Sequence, residues 1–326
     1  MQDALRTPPQ GPWLRGYKLL FNGRGIAAEW ELPYLWNDLK HSKPSPPENS
    51  KGASRKLADR AKTPSRNNWS GVALRFGYMM LNFIILCVYY EYLDLAGYVR
   101  LQPSDSIREK ESIIRRALGQ SIGIAQRNPV THRELIVRIW AVFDLIVPDY
   151  LILSAYHDFF AIIFIATGLD EPWEWPPLFG PIREAYNLRR YWSIFWHRLI
   201  YKSFNAHAAG ILSLLGQNRR SLASRLLRNF LVFAFSAVMH GVVSWKLGNQ
   251  CAFDRHLCFW LLQPVGFVLE GLVTSCWRKW KVHPLSVAHP SPVVIFERFV
   301  GYIWVFAWFL WCAPKGRLPM LFCGRK

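Results

Sequence analysis

Two histidines stand in company that suits them for chemistry. His240 lies in "NFLVFAFSAVMHGVVSW" (229–245), an apolar run bounded by Arg228 and Lys246. On a helix, residues four apart share a face. Ser236, His240 and Ser244 then form one polar stripe, with Phe233, Phe235, Val238 and Val242 available for other faces. An ionisable side chain in hydrocarbon is costly and points to function. Burial keeps an imidazole neutral, and a neutral imidazole accepts a proton, which suits general-base work on a hydroxyl. A structural histidine, hydrogen-bonded to a neighbouring helix, satisfies the same pattern.

The second histidine, His197, lies in "EAYNLRRYWSIFWHRLIYKSFNAH" (184–207). If the segment is helical, Arg189, Ser193, His197, Tyr201 and Asn205 fall at four-residue steps and make a continuous polar face. Trp192, Phe195, Trp196, Leu199 and Ile200 supply apolar surface. The segment is too charged to span a bilayer and too apolar for a plain loop. It reads as a re-entrant or interfacial helix, or as an anchor rich in Trp and Arg.

Membrane-spanning elements must position both histidines. The chain has 326 residues, 51% hydrophobic and 15% aromatic, including 16 tryptophans, with its apolar residues gathered in long runs. This predicts an all-α polytopic membrane protein with about five to seven transmembrane helices. Spans are expected at 71–95, 229–247, 257–276 and 293–312. The stretch 135–169 is too long for one span, and Pro148 predicts a break that makes two short spans or a broken helix pair. "SIREKESIIRRALGQ" (106–120) reads as an amphipathic surface helix. Residues 1–70 form a basic segment with a flexible loop rich in Pro, Ser and Lys, and 71–326 the membrane-embedded domain. The first residues lack the apolar core of a cleavable signal peptide, so insertion is expected to depend on internal spans. Basic residues flank several spans on both sides, which leaves the orientation open.

The formal charge of +18 and pI near 9.9 raise the question of nucleic acid, but no reader motif accompanies the charge. Basic loops against anionic headgroups, or around a polyanionic cosubstrate, explain it instead. The six cysteines (Cys87, Cys251, Cys258, Cys276, Cys312 and Cys323) contain no C-x-x-C pair, so neither a metal site nor a disulfide framework is predicted. The sequon at Asn68 is a short motif that arises often by chance.

"RRYWSIFWHRL" (189–199), followed 43 positions after His197 by His240 in "FAFSAVMHGVV", resembles the membrane-bound O-acyltransferase superfamily. The resemblance is to its wax synthase-like branch, which includes fungal natural-product O-acetyltransferases. "NGRGIAAEW" (22–30) is similar to the RGI-x-x-x-W entry motif of that branch, and "EWPPLFGPIREAYNLRRYW" (174–192) to its W-P-P-x-F-G lead. "FERFVGYIWVFAWFLWCAPK" (296–315) resembles its C-terminal span, so the likeness covers most of 22–315. It implies an O-acyltransferase that moves an acetyl group from acetyl-CoA to a hydroxyl of a terpenoid or polyketide-type metabolite. No permanently bound cofactor is implied. His240 takes the place of the catalytic base and His197 that of the second polar residue. Arg189, Arg190 and Arg198, with Trp196, are expected to meet the acyl-CoA, while Ser236, Ser244 and Ser193 support the histidines. The implied partners are the lipid bilayer, acyl-CoA and a lipophilic hydroxylated acceptor, with no nucleic acid. The expected setting is the endoplasmic reticulum membrane.

Three other readings stay open. A long-chain wax or sterol ester synthase has the same motifs. A transporter would use intramembrane histidines with Asp144 and Asp149. An inactive, truncated homologue would account for the RGI-type motif starting at Arg24, where members of the branch usually carry further apolar segments before it.

Overall fold

The computed structural model describes residues 13, 16–18, 24–26, 66–93, 100–124, 128–217, 221–248, 253–280 and 292–322. Among these residues every regular element is helical, as an all-α protein requires. The longer helices are α1 (Arg66–Val88), α2 (Ile113–Ser121), α3 (His132–Ala166), α4 (Tyr201–Leu214), α5 (Leu222–Lys246), α6 (Phe253–Trp280) and α7 (Pro292–Leu321). Four stretches of the described residues are long and apolar enough to cross a membrane: Trp69–Glu91, Leu222–Lys246, Phe253–Lys279 and Pro292–Leu321. They coincide with the spans expected at 71–95, 229–247, 257–276 and 293–312.

The expectation of a break at Pro148 is corrected. Residues His132–Ala166 form one helix of 35 residues with Pro148 inside it. A proline removes a single backbone donor from a helix, which membrane proteins accommodate through neighbouring groups.

The chain divides into two compact units. The first comprises Met1–Leu93, Pro148–Pro181 and Ile194–Lys202. Its α1 exposes Leu74, Phe76, Leu81, Phe83 and Ile84, so its apolar surface points away from the protein. Buried charge ties the early residues to the loop after α3. Lys18 Nζ lies 2.6 Å from Asp170 Oδ1 and 2.8 Å from Glu174 Oε1. Asp170 also accepts from the Tyr17 hydroxyl (2.7 Å) and the Trp175 indole (2.9 Å). Burial raises the pKa of Glu174 and the Lys18 ammonium opposes that shift.

The second unit comprises Asp94–Val147, Ile182–Ser193 and Ser203–Lys326. Helix α5 packs on α6, and α6 on α7. Their interior turns on Gln263 of α6, which is fully buried. Its Oε1 accepts from the Trp308 indole at 3.1 Å and the Trp192 indole at 3.3 Å. Its Nε2 donates to the Phe259 carbonyl at 2.9 Å and toward Cys312 Sγ at 3.7 Å. Lower on α6, Glu270 accepts from the backbone N–H of Leu188 (2.7 Å), that of Arg189 (3.5 Å) and the Trp304 indole (3.2 Å). The carboxylate thereby caps the turn that starts at Leu188. Gly266 lets that turn sit close, since a Cβ there would stand 2.7 Å from Leu188 Cδ1 and 2.8 Å from the Trp308 ring.

A second buried polar cluster holds α2 against α3. Arg116 donates to Glu134 at 2.5 and 3.0 Å, and Arg138 Nε donates to the same carboxylate at 3.0 Å. All three side chains are 5% exposed or less. Both guanidiniums reach the Lys110 carbonyl as well. Replacing one partner of such a cluster strands charge in the interior, at a cost of about 3–5 kcal/mol. Glu134→Ala is therefore expected to lower the thermal midpoint of the detergent-purified chain steeply. A midpoint equal to wild type would mean that the cluster does not hold α2.

Candidate active site

Helix α5 starts at Ser221, whose hydroxyl accepts from the Ser224 N–H at 3.0 Å. Along it Phe233, Ser236, Ala237, Gly241 and Ser244 are buried, whereas Val238, Val242 and Val243 are exposed. The polar stripe expected from the sequence thus faces inward, with His240 half-buried in the middle. Phe233 shares this inward face.

The His240 imidazole stacks on the Trp260 indole of α6, with ring centroids 4.4 Å apart and planes 12° from parallel. His256, one turn earlier on α6, stands edge-on at 6.4 Å and 85°. The Ser244 hydroxyl donates toward Met320 Sδ at 3.8 Å. Trp260 in turn meets Trp192 at 5.3 Å and Phe233 at 6.4 Å. Since Gln263 holds the Trp192 indole, one chain of contacts runs from a buried amide through two tryptophans to the imidazole. Gly241 admits the Phe253 ring beside this site, because a Cβ there would lie 2.6 Å from it. Stacking fixes the plane of the imidazole and leaves both nitrogens at its edge, where a proton can be taken up.

The tryptophan-rich segment departs from expectation. It is not a continuous helix, so the polar face from Arg189 through Ser193, His197 and Tyr201 to Asn205 does not form. Asn187 caps a single turn, Leu188–Arg190, by accepting from the Arg190 N–H at 2.8 Å. A π-turn, Tyr191–Phe195, follows, and regular helix resumes only at Tyr201. Tertiary partners take the backbone groups that a continuing helix would use. Glu270 occupies the first N–H groups, and the Gly180 N–H donates to the Phe195 carbonyl at 2.8 Å.

The break divides the predicted residues. Trp192 and Ser193 belong to the second unit, Trp196, His197 and Arg198 to the first. Within the first unit His197 stands edge-on to Phe179 of the WPPLFG stretch, at 5.6 Å and 87°. Phe179 also touches Trp196 at 5.2 Å and Tyr150 at 4.3 Å. The Arg198 guanidinium is buried and lies 4.6 Å over the Tyr201 ring. Burial lowers its pKa, against a smaller opposing effect of Tyr201. Within the second unit Arg190 pairs with Glu184 and lies 4.9 Å over the Tyr186 ring. The Arg189 and Ser193 side chains are exposed. Arg219 and Arg220, two further basic residues near the motif, lie outside the described residues.

Two motifs that are far apart in sequence meet in the first unit. Arg24 of the RGI stretch is buried and donates to the carbonyls of Pro177 (2.7 Å) and Pro176 (2.9 Å) in the WPPLFG stretch. Burial, reinforced by nearby Arg75, pulls its pKa down to about 10. His157 Nε2 shares the Pro176 carbonyl at 2.9 Å. Arg75 pairs with Asp158 at 2.9 Å and donates to the Trp175 carbonyl. The remainder of the NGRGIAAEW motif, including Trp30, lies outside the described residues.

Sequence reasoning overlooked Trp260, His256 and Gln263. The last two are polar residues in or beside an expected span, a signal of the same kind as the one that selected His240. Nothing in a single sequence says that Trp260 faces His240.

Residues 175–262 match the family described as "Membrane bound O-acyl transferase family". The chain is 33% identical over 173 residues to acetyltransferase ataH of Aspergillus terreus, covering 52% of this chain and 54% of that protein. It is 31% identical over 200 residues to acetyltransferase aurG of Calcarisporium arbuscula, covering 61% and 47%. With acetyltransferase nanB of Aspergillus nanangensis the identity is 32% over 159 residues, covering 49% and 38%. The chain spans about half the length or less of these curated relatives. No solved structure matches it. The stretch 175–262 that is similar to the membrane bound O-acyl transferase family holds the WPPLFG loop, His197, His240 and Trp260.

Proposed function

We propose that this chain is an integral membrane O-acyltransferase in which His240 is the general base. The observation that carries this reading is an imidazole on the inward face of an apolar span, held flat against Trp260, within the family-matched region. In the proposed reaction the acceptor hydroxyl attacks the thioester carbonyl of an acyl-CoA. His240 takes the hydroxyl proton as the new C–O bond forms, and the C–S bond breaks as coenzyme A leaves. The proton then passes to the leaving thiolate, which restores the neutral imidazole. His197 is proposed to orient the acyl donor by hydrogen bonding, a task that requires a donor group but not a base. Arg189, Arg190, Arg198 and Trp196 remain proposed contacts of the acyl-CoA, and Ser193, Ser236 and Ser244 supports of the two histidines.

The name acetyltransferase carried by the relatives supports acetyl-CoA as the donor. The proposed acceptor is a lipophilic hydroxylated metabolite of terpenoid or polyketide type. The proposed membrane is that of the endoplasmic reticulum, which co-fractionation with a marker enzyme tests. Acetyl-CoA against palmitoyl-CoA, with a panel of alcohols, separates this reading from a long-chain wax or sterol ester synthase.

Thiol release from acetyl-CoA, dependent on a hydroxylated acceptor, is expected from membranes that contain the chain. His240→Ala is expected to lower it by about 10²–10⁴-fold without changing membrane insertion. Wild-type turnover in that variant would exclude His240 as the base. His197→Ala is expected to reduce turnover by about 10²–10³-fold, and His197→Asn to keep part of it. An Asn variant as inactive as the Ala variant would mean that the site needs an imidazole there. Trp260→Phe is expected to keep most activity, since a phenyl ring can still carry the imidazole. Trp260→Ala should lower kcat more than it raises KM, and a pure KM effect would rule out a positioning role.

A further inference from the structure

Helix α2 buries a charged side chain while it exposes apolar ones. Of its two arginines, Arg116 is 4% exposed and is pinned by Glu134. Apolar side chains of the helix and its C-cap residue point outward, with Ile114 57%, Leu118 62% and Ile122 71% exposed. These three lie at four-residue steps, so they make one continuous apolar stripe on the outer face. The Arg116–Glu134 pair fixes the helix in this orientation, and a protein surrounded by water would leave the stripe against solvent at a cost in free energy.

The stripe forms the floor of an open groove of about 660 Å³ whose far wall is Trp311 and Lys315 of α7. Lys315 Nζ lies 3.4 Å above the Trp311 ring. Tryptophan and lysine near the end of a spanning helix are the residue types of a membrane–water boundary. Arg115, exposed on α2, is a second cation lining the groove. The carboxylate there, Glu111, is already paired with Arg255 at 2.5 Å. The apolar floor is therefore bordered by two cations and a neutralised acid.

We infer that this groove binds one anionic phospholipid, with an acyl chain along Ile114, Leu118 and Ile122 and the headgroup phosphate at Arg115 and Lys315. Charge complementarity selects an anionic headgroup over a neutral one. A nine-residue helix is too small to supply the roughly 800 Å² per partner of a stable protein interface, which disfavours a second copy as the occupant. The inference does not depend on the acyl-transfer reading, since it concerns lipid binding alone.

The test titrates the detergent-purified full chain with phosphatidylserine and with phosphatidylcholine, each carrying a fluorescent acyl chain. The wild type is expected to bind phosphatidylserine more tightly. Arg115→Gln and Lys315→Gln are each expected to weaken phosphatidylserine binding about fivefold and to leave phosphatidylcholine unchanged. Leu118→Asn, at a surface position that does not disturb the core, is expected to weaken both lipids. Equal affinity for the two lipids, or no response to either Gln variant, would overturn the headgroup assignment. Unchanged binding in Leu118→Asn would place the chain elsewhere and overturn the groove. Self-association of the wild type that Leu118→Asn abolishes would make a second copy the occupant instead.

Discussion

An amide in the middle of an apolar helix has to find its hydrogen-bond partners inside the protein, because hydrocarbon offers none. Gln263 finds four, and each lies on an element that matters elsewhere. Its oxygen fixes Trp192 and Trp308, while its nitrogen reaches its own helix at Phe259 and α7 at Cys312. Trp192 then braces Trp260, and Trp260 carries the His240 ring. The orientation of the candidate base is thus inherited from the satisfaction of a buried amide three residues beyond the indole on which the base rests. Glu270 repeats the arrangement lower on the same helix, where one carboxylate takes two backbone N–H groups and an indole. Helix α6 works as a rack of buried acceptors on which the tryptophan-rich turn is hung.

The first unit ties its early residues to the loop after α3 with buried charge. Among the described residues Arg24 is bonded to two carbonyls, and Lys18 sits between two carboxylates. Both connect early residues of the chain to the loop that carries the WPPLFG stretch. The Arg24 bonds require the backbone of Pro176 and Pro177 to present its carbonyls side by side, and a Pro-Pro pair restricts that backbone. The RGI and WPP motifs are in this sense two halves of one contact. The same loop presents Phe179 to His197, so the buried guanidinium and the second histidine share a support.

Much of the frame was legible without coordinates. Apolar run length located the four candidate spans among the described residues, because a bilayer imposes a minimum length on any helix that crosses it. The four-residue period placed Ser236, His240 and Ser244 on one face, since helix geometry depends only on local spacing. The order of the tryptophan-rich, histidine-bearing and entry motifs was enough to suggest the family. Each of these signals is local in sequence.

What the tertiary structure decided is of another kind. The segment around His197 has the periodicity of a helix, yet Glu270 and Gly180 take its backbone groups and break it into a turn, a π-turn and a bend. Pro148 reads as a break but is absorbed within one helix. Helix α2 reads as a surface helix, but only the Arg116–Glu134 pair determines that its apolar side faces outward. For the His197 segment and for α2 the outcome rests on a hydrogen bond or ion pair between residues that spacing alone does not connect. By itself the sequence determined where helices cross the membrane and which side chains share a face, because both follow from local geometry. The partner of each buried polar group, and with it the setting of His240 and His197, was decided only when distant segments met.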